Sequence, residues 1–165
     1  MGLILETAKG PVILRPEQPS DADFLYTLFR GRMLPDLAAL PLDDGARETL
    51  IRMQFDAQTK GYRARFPDAR FDVVHSHGVP IGRLIVDQTQ DAGCIVDFAL
   101  LPAARRGGLG TAILGAVLAG MATTVRCKVI WNNTPSLRMC QRLGFVQTGG
   151  DLPFLQLEWY PSWRT

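Results

Sequence analysis

The chain has 165 residues, 47% hydrophobic and 21% charged, enough apolar material for one buried core and too much for a disordered or collagen-like protein. Eighteen Lys and Arg against sixteen Asp and Glu leave a net charge of +2, scattered along the chain, so no nucleic-acid surface is expected and charge alone assigns no partner. One domain over residues 1–165 is the expected organisation.

Val12-Ile13-Leu14 is a short strand closed by Pro16, and Ser20 with Asp23 three residues on reads as a helix start. Phe24, Leu25, Leu28 and Phe29 carry the helical spacing to about Met33, after which Pro35, Pro41 and Asp43-Asp44-Gly45 predict a loop. A second helix is predicted over 46–66, with Leu50, Met53, Phe55, Ala57 and Tyr62 as its apolar members and Pro67 as its stop. Strands over 71–75 and 81–86 flank the hairpin turn Ser76-His77-Gly78, and a polar turn over 88–93 leads to a third strand over 94–101.

Leu109, Ile113, Val117 and Met121 then form one helical stripe. A strand over 125–131, a short helix over 135–143 stopped by Gly144, and a strand over 154–160 complete the chain. Strand, two helices, three-strand meander, helix, strand, helix, strand is an α+β order, which a doubly wound sheet does not fit.

Cys94, Cys127 and Cys140 form no C-x-x-C pair and leave one over in any disulfide scheme, so neither a zinc cage nor a disulfide scaffold is expected, and the compartment is read as a reducing cytoplasm. The longest apolar stretch, 112–122, is shorter than the roughly 18 residues of a membrane span and reads as a buried helix, with no membrane as partner. His75 and His77 flank a turn, and no metal site is expected there. Arg52, Arg63, Arg65 and Arg70 read as a solvated face, and Trp131, Trp159 and Trp163 as core or interface residues.

The chemistry is concentrated where the third meander strand runs into Pro102-Ala103-Ala104-Arg105-Arg106-Gly107-Gly108-Leu109-Gly110-Thr111, a basic, glycine-rich turn opening a helix. Glycines let a backbone approach a phosphate, and the first amides of a helix are free to donate to it. No Lys stands among these glycines as a nucleotide-triphosphate loop requires. Ile113 takes the third glycine position of a dinucleotide fingerprint, which therefore fails as well.

Arg105-x-x-Gly108-x-Gly110 resembles the R/Q-x-x-G-x-G/A signature of the GNAT superfamily of N-acetyltransferases, and Asn133-x-x-Ser136-x-x-x-Cys140-x-x-x-Gly144-Phe145 is similar to its second motif, N-x-x-A-x-x-x-Y-x-x-x-G-F. The resemblance implies a GNAT-like fold: a mixed, mostly antiparallel twisted sheet of about six or seven strands flanked by about four helices, with a splayed strand pair at the cofactor site. It implies acetyl-CoA as co-substrate, its pyrophosphate on Arg105, Arg106, Gly107, Gly108, Leu109, Gly110 and Thr111 and its pantetheine arm on the amides of Leu100 and Leu101, with Asn133 assigned from the second motif. It further implies direct acetyl transfer to a primary amine of a small molecule or protein terminus. The alternative is a CoA-binding or interaction protein of the same fold without turnover, and a homodimer stays open.

Two departures bear on catalysis. Cys140 stands where many members carry a Tyr that protonates the departing thiolate; a thiol donor, a water in its place and a small core residue are the three roles open to it. Cys94 replaces the Glu that some members use as base, and the carboxylate nearby is Asp97 in the apolar run 94–101. On strict alternation Asp97 shares a face with Ile95 and Ala99, opposite Phe98. It is either a strand-fixing ion pair or a base whose pKa partial desolvation raises. The region over 24–66, which shapes the acceptor pocket in the family, names no substrate.

Overall fold

Residues 2–89 and 91–161 are described by the computed structural model of the chain; Trp163 lies outside them. Strands β1 (Leu3–Thr7) and β2 (Gly10–Pro16) form a hairpin, followed by helices α1 (Ala22–Leu37) and α2 (Asp44–Arg65). The meander is β3 (Arg70–Ser76), β4 (Val79–Gln88) and β5 (Ala92–Leu100). Helix α3 (Leu109–Ala119), β6 (Thr124–Ile130), α4 (Thr134–Arg142), β7 (Val146–Gly149) and β8 (Phe154–Trp159) complete the order. The strands form one sheet in the order β1-β2-β3-β4-β5-β6-β8-β7, antiparallel throughout except for the parallel pair β5–β6. The mixed, mostly antiparallel sheet with a parting strand pair is the expected one, with eight strands instead of six or seven.

The two additional strands lie at the sheet edges, where alternation carries little signal. In β1 only Leu5 is buried while Leu3 and Ile4 face solvent, and all four residues of β7 are exposed. The turn between β3 and β4 has positive φ at both His77 (51°) and Gly78 (78°), the pattern that matches hairpin twist, as the composition predicts.

Helix α1 continues through Pro35 to Leu37, past the predicted stop near Met33. Pro35 removes one hydrogen bond to the Gly31 carbonyl, which is solvent-exposed. Leu37 meanwhile packs with Tyr26, Phe29 and Ile51 in a second cluster, so tertiary packing overrides propensity. In α2 the fully buried residue is Ile51, and Met53, expected in the apolar set, is 64% exposed. Asp43 caps α2 by accepting from the Ala46 N–H at 2.7 Å.

The sheet separates two layers. On one side Val12, Leu14, Val74, Leu84, Val86 and Ile95 pack with Ile113, Leu114, Val117 and Leu118 of α3 and Cys140 of α4 in the main core. Helices α1 and α2 cover the other side, where Arg83, Asp97 and Ala99 project. No helix among the described residues is long and apolar enough to cross a membrane.

Candidate functional site

Strands β5 and β6 pair over only four positions, from Ala92↔Thr124 to Ile95↔Cys127. Beyond them β5 runs on to Leu100 beside β4, and β6 to Ile130 beside β8, so the two strands part and present facing edges across a gap. The parting coincides with a bulge. Ile85 pairs with Asp97 and Val86 with Ile95, leaving Val96 unopposed. The extra residue corrects the strict-alternation reading: Asp97 shares its face with Ala99, but Ile95 lies on the other face with Phe98 in the main core.

At the open end of the gap the Leu101 N–H donates to the Ile81 carbonyl at 2.8 Å. This corrects the expectation for Leu101, whose amide is engaged by β4. Because successive strand amides point to opposite edges, the Leu100 N–H faces the gap. Arg105 folds back over this strand end, its Nε donating to the Leu100 carbonyl at 2.7 Å.

The turn that follows is shaped by left-handed backbone at Arg106 (φ 68°) and Gly108 (φ 79°). No side chain caps α3 at Gly108, and the first intrahelical bond is Ala112 N–H to the Gly108 carbonyl at 3.0 Å. The amides of Leu109, Gly110 and Thr111 therefore have no helical acceptor, and the helix dipole adds to their pull on an anion. A Cβ at Gly107 or Gly108 meets nothing within 4 Å, so this side of the turn is open. Gly110 differs: its Cβ position faces Met139 Sδ at 3.4 Å and Leu100 Cδ1 and Phe98 Cε1 at 3.5 Å. Its α-carbon serves helix packing, unlike the open positions at Gly107 and Gly108.

Asp97 is 9% exposed at its side chain and fully engaged. Arg83 donates to Oδ2 through Nη2 at 2.5 Å and Nε at 3.0 Å, and Arg32 Nη1 donates to Oδ1 at 3.0 Å. Arg83 Nη2 also reaches Gln58 Oε1 at 3.0 Å, which ties β4 to α2. Burial on its own raises the Asp97 pKa, but the charges of Arg83 and Arg32 outweigh it and hold the carboxyl below the usual carboxylate range. The raised pKa expected of a lone carboxylate is thus corrected, because Asp97 is not alone. Beside it, burial and the Asp97 charge push the Tyr62 phenol up.

Neither arginine follows from motif spacing, yet Arg83 had a signal in the sequence. It interrupts the apolar run of β4 as Asp97 interrupts that of β5, and a turn near residue 91 brings the two positions together. Arg32, 65 residues away on α1, had no such signal.

Cys140 is buried on α4 with its Sγ 4.0 Å from Cys127 Sγ of β6. The hydrogen bond between the sulfurs and burial push the Cys127 thiol up. Of the three roles open to Cys140, the packing is that of a small core residue. Asn133 caps α4, its side-chain oxygen accepting from the Ser136 N–H at 3.3 Å, which leaves its amide nitrogen for other partners. Glu158 lies at the closed end of β6, ion-paired to Arg126 at 2.9 Å. Among the described residues no three His, Cys, Asp or Glu side chains stand together as a metal site.

The sequence model described as the acetyltransferase (GNAT) family matches residues 36–145. Among solved structures, PaiA N-acetyltransferase from Thermoplasma acidophilum in complex with coenzyme A is 16% identical, with a TM-score of 0.68 over 91% of this chain and 99% of that one. An acetyltransferase from Thermus thermophilus is 20% identical, with a TM-score of 0.66 over 91% and 97%. Mycobacterium smegmatis RimJ in complex with CoA-disulfide is also 20% identical, with a TM-score of 0.67 over 96% and 86%. At these identities the likeness is one of fold. A comparison with curated protein sequences finds no significant match.

Proposed function

The chain belongs to the GNAT acetyltransferase family, and from that premise we propose that it moves an acetyl group from acetyl-CoA directly to a primary amine of a small molecule or protein terminus, within a ternary complex. Acetyl-CoA is the co-substrate of this family. The observation that carries the reading is the continuity of two features: the gap opened between β5 and β6, and the uncapped start of α3 at its mouth.

The residues divide the work. The amides of Leu109, Gly110 and Thr111 hold the pyrophosphate, with Arg105 fixing the turn to the Leu100 carbonyl, Arg106 adding charge, and Gly107 and Gly108 leaving the approach open. Leu100 offers its N–H to an amide of the pantetheine arm, as a strand offers it to a neighbour. Asn133, as the cap of α4, fixes the wall opposite. The bulge at Val96 stands just beyond the last β5–β6 pair, where the gap begins.

The amine lone pair attacks the thioester carbonyl, the carbon–sulfur bond breaks, and CoA departs with a proton. Asp97 is ion-paired and poorly basic, so the amine gives its proton to water, and holding amine and thioester together supplies the acceleration. Cys140 is a packing residue and donates no proton. Three unpaired cysteines suit a cytoplasmic setting.

A second reading, CoA binding without turnover, is favoured by the buried Cys140 in place of the family's Tyr. A panel of primary amines offered with acetyl-CoA, followed by CoA release, separates the two. Release above the no-amine rate with any acceptor supports transfer; tight acetyl-CoA binding with no release from the whole panel supports the second reading.

A further inference from the structure

The buried ion network joins α1, β4 and β5 with unequal charge: one carboxylate, Asp97, faces two guanidinium groups. Its two arginines are not equivalent. Arg83 is 6% exposed and is engaged by both Asp97 and Gln58. Arg32 is 35% exposed and touches Asp97 through Nη1 alone; among the described residues its Nε and Nη2 have no hydrogen-bond partner. Asp97 and Phe29, whose ring lies 5.9 Å from the Arg32 guanidinium, hold that side chain in place. Together with Leu25, Leu28, Arg83 and Ala99, Arg32 and Phe29 pack around a cleft on the α1 side of the sheet that is too narrow to admit a water molecule, so Arg32 is reached only at its exposed outer edge.

This cleft lies along the part of β5 that has left β6, since Asp97 and Ala99 stand two and four residues beyond the last paired residue, Ile95. Resting on the transferase reading above, we propose that Arg32 is the specificity-determining residue of the acceptor site and that the acceptor is a primary amine carrying an anionic group, a carboxylate or a phosphate, which seats on the free edge of the Arg32 guanidinium.

Three features favour this over a purely structural network. A network built only for stability is satisfied by the Arg83–Asp97 pair, which already has two hydrogen bonds; Arg32 adds an uncompensated charge. A guanidinium presents two parallel N–H groups that match the oxygens of a carboxylate or phosphate, and Arg32 has that edge unused. Leu25, Leu28, Phe29 and Ala99 keep water from the inner face of the guanidinium and leave its outer edge as the face an anion can reach. Asp97 is then a positioning residue: it orients Arg32 and prevents the two arginines from repelling each other.

The test is an acceptor panel in matched pairs, β-alanine beside β-alaninamide and phosphoethanolamine beside ethanolamine, together with a peptide beginning with Asp beside one beginning with Asn. Each is assayed by CoA release with acetyl-CoA saturating. The parent is expected to favour the acidic member of at least one pair by about tenfold or more in kcat/KM, and the responding pair separates carboxylate from phosphate. Arg32→Gln should collapse that ratio toward one and Arg32→Lys should restore part of it, while both variants keep the parent's acetyl-CoA affinity in calorimetry. Should R32Q not fold, the parent's own ratio must still fall as salt is raised from about 0.05 to 0.5 M. A parental ratio near one, a ratio that survives R32Q, or one that ignores salt overturns the anion site and leaves the transferase reading standing. No turnover with any amine, despite intact acetyl-CoA binding, removes the transferase reading and this inference with it.

Discussion

The Sγ atoms of Cys127 and Cys140 lie 4.0 Å apart between α4 and β6, inside the main core that also holds Leu157, Phe145 and Val129. A thiol placed there fills volume and makes a weak hydrogen bond. Cys140→Ala should therefore lower thermal stability by about 1 kcal/mol through the lost contacts. It should leave kcat within about threefold of the parent, whereas removal of a general acid costs about 100-fold or more. CoA-release kinetics beside a thermal melt decide the matter, and a 100-fold fall in kcat with an unchanged melt makes Cys140 the acid. Cys140→Tyr, which restores the family's residue, should overpack this site and destabilise the fold by about 1–3 kcal/mol.

Two glycines of one turn should respond in opposite ways. Gly108 has φ 79°, a conformation in which an alanine costs roughly 1–2 kcal/mol, so Gly108→Ala distorts the entry to α3 and should weaken acetyl-CoA binding about tenfold. Gly110 has φ in the helical range, and its Cβ position meets Met139, Leu100 and Phe98 at ordinary contact distance. Gly110→Ala should hold affinity within about threefold and gain a little helix stability. Calorimetry with acetyl-CoA checks both, and equal affinity losses would place Gly110, not only Gly108, against the ligand.

The contrast between these glycines shows where sequence reading reaches its limit. A glycine-rich turn after an apolar strand announces an anion site, because local backbone freedom and free helix amides are properties of the segment itself. Which glycine faces the ligand depends on how α3 rolls against Met139 and Phe98, and that is set by packing between distant segments. The same division explains the rest. The hairpin at His77-Gly78 is local and legible, while Asp43, read only as part of a loop, caps a helix that already begins at Asp44. The bulge at Val96, which moves Ile95 off the face of Asp97, is not legible, since alternation assumes one residue per step. Edge strand β7 has four exposed residues and hence no pattern to read. Arg32 reaches Asp97 only because α1 lies over β4 and β5, a relation without any spacing in the chain.

Asp97 should show its role in the acid limb of stability. Its pKa in the folded chain is lowered, so the unfolded chain binds the proton more readily. The stabilisation is complete above the ordinary carboxylate value near 4 and is lost as pH falls through that value toward the folded one. Asp97→Asn should flatten this acid-side slope in denaturant melts. It should also destabilise the protein at pH 7 by about 3–5 kcal/mol, because Arg83 is left buried with an uncompensated charge. A variant with unchanged stability and a kcat reduced about 100-fold would instead make Asp97 the base.

Arg105 and Arg106 adjoin in sequence but hold the turn by different means, and lysine substitution separates them. Arg105 Nε donates to the Leu100 carbonyl at 2.7 Å, tying the turn to the end of β5, where the Leu100 N–H faces the gap. A lysine at 105 keeps the charge but lacks the planar guanidinium that makes this link. Arg105→Lys should therefore weaken acetyl-CoA binding nearly as much as Arg105→Ala, by about tenfold, with little change in the salt dependence of affinity. Arg106 has no hydrogen-bond partner among the described residues and holds φ 68°. Arg106→Lys should bind as the parent does, and Arg106→Gly should lose affinity at low salt only, since exposed charges are screened beyond roughly 10 Å at 0.1 M. Calorimetric titrations at two salt concentrations give all four comparisons. If Lys at 105 restores parental affinity, charge rather than the Leu100 link is what Arg105 contributes.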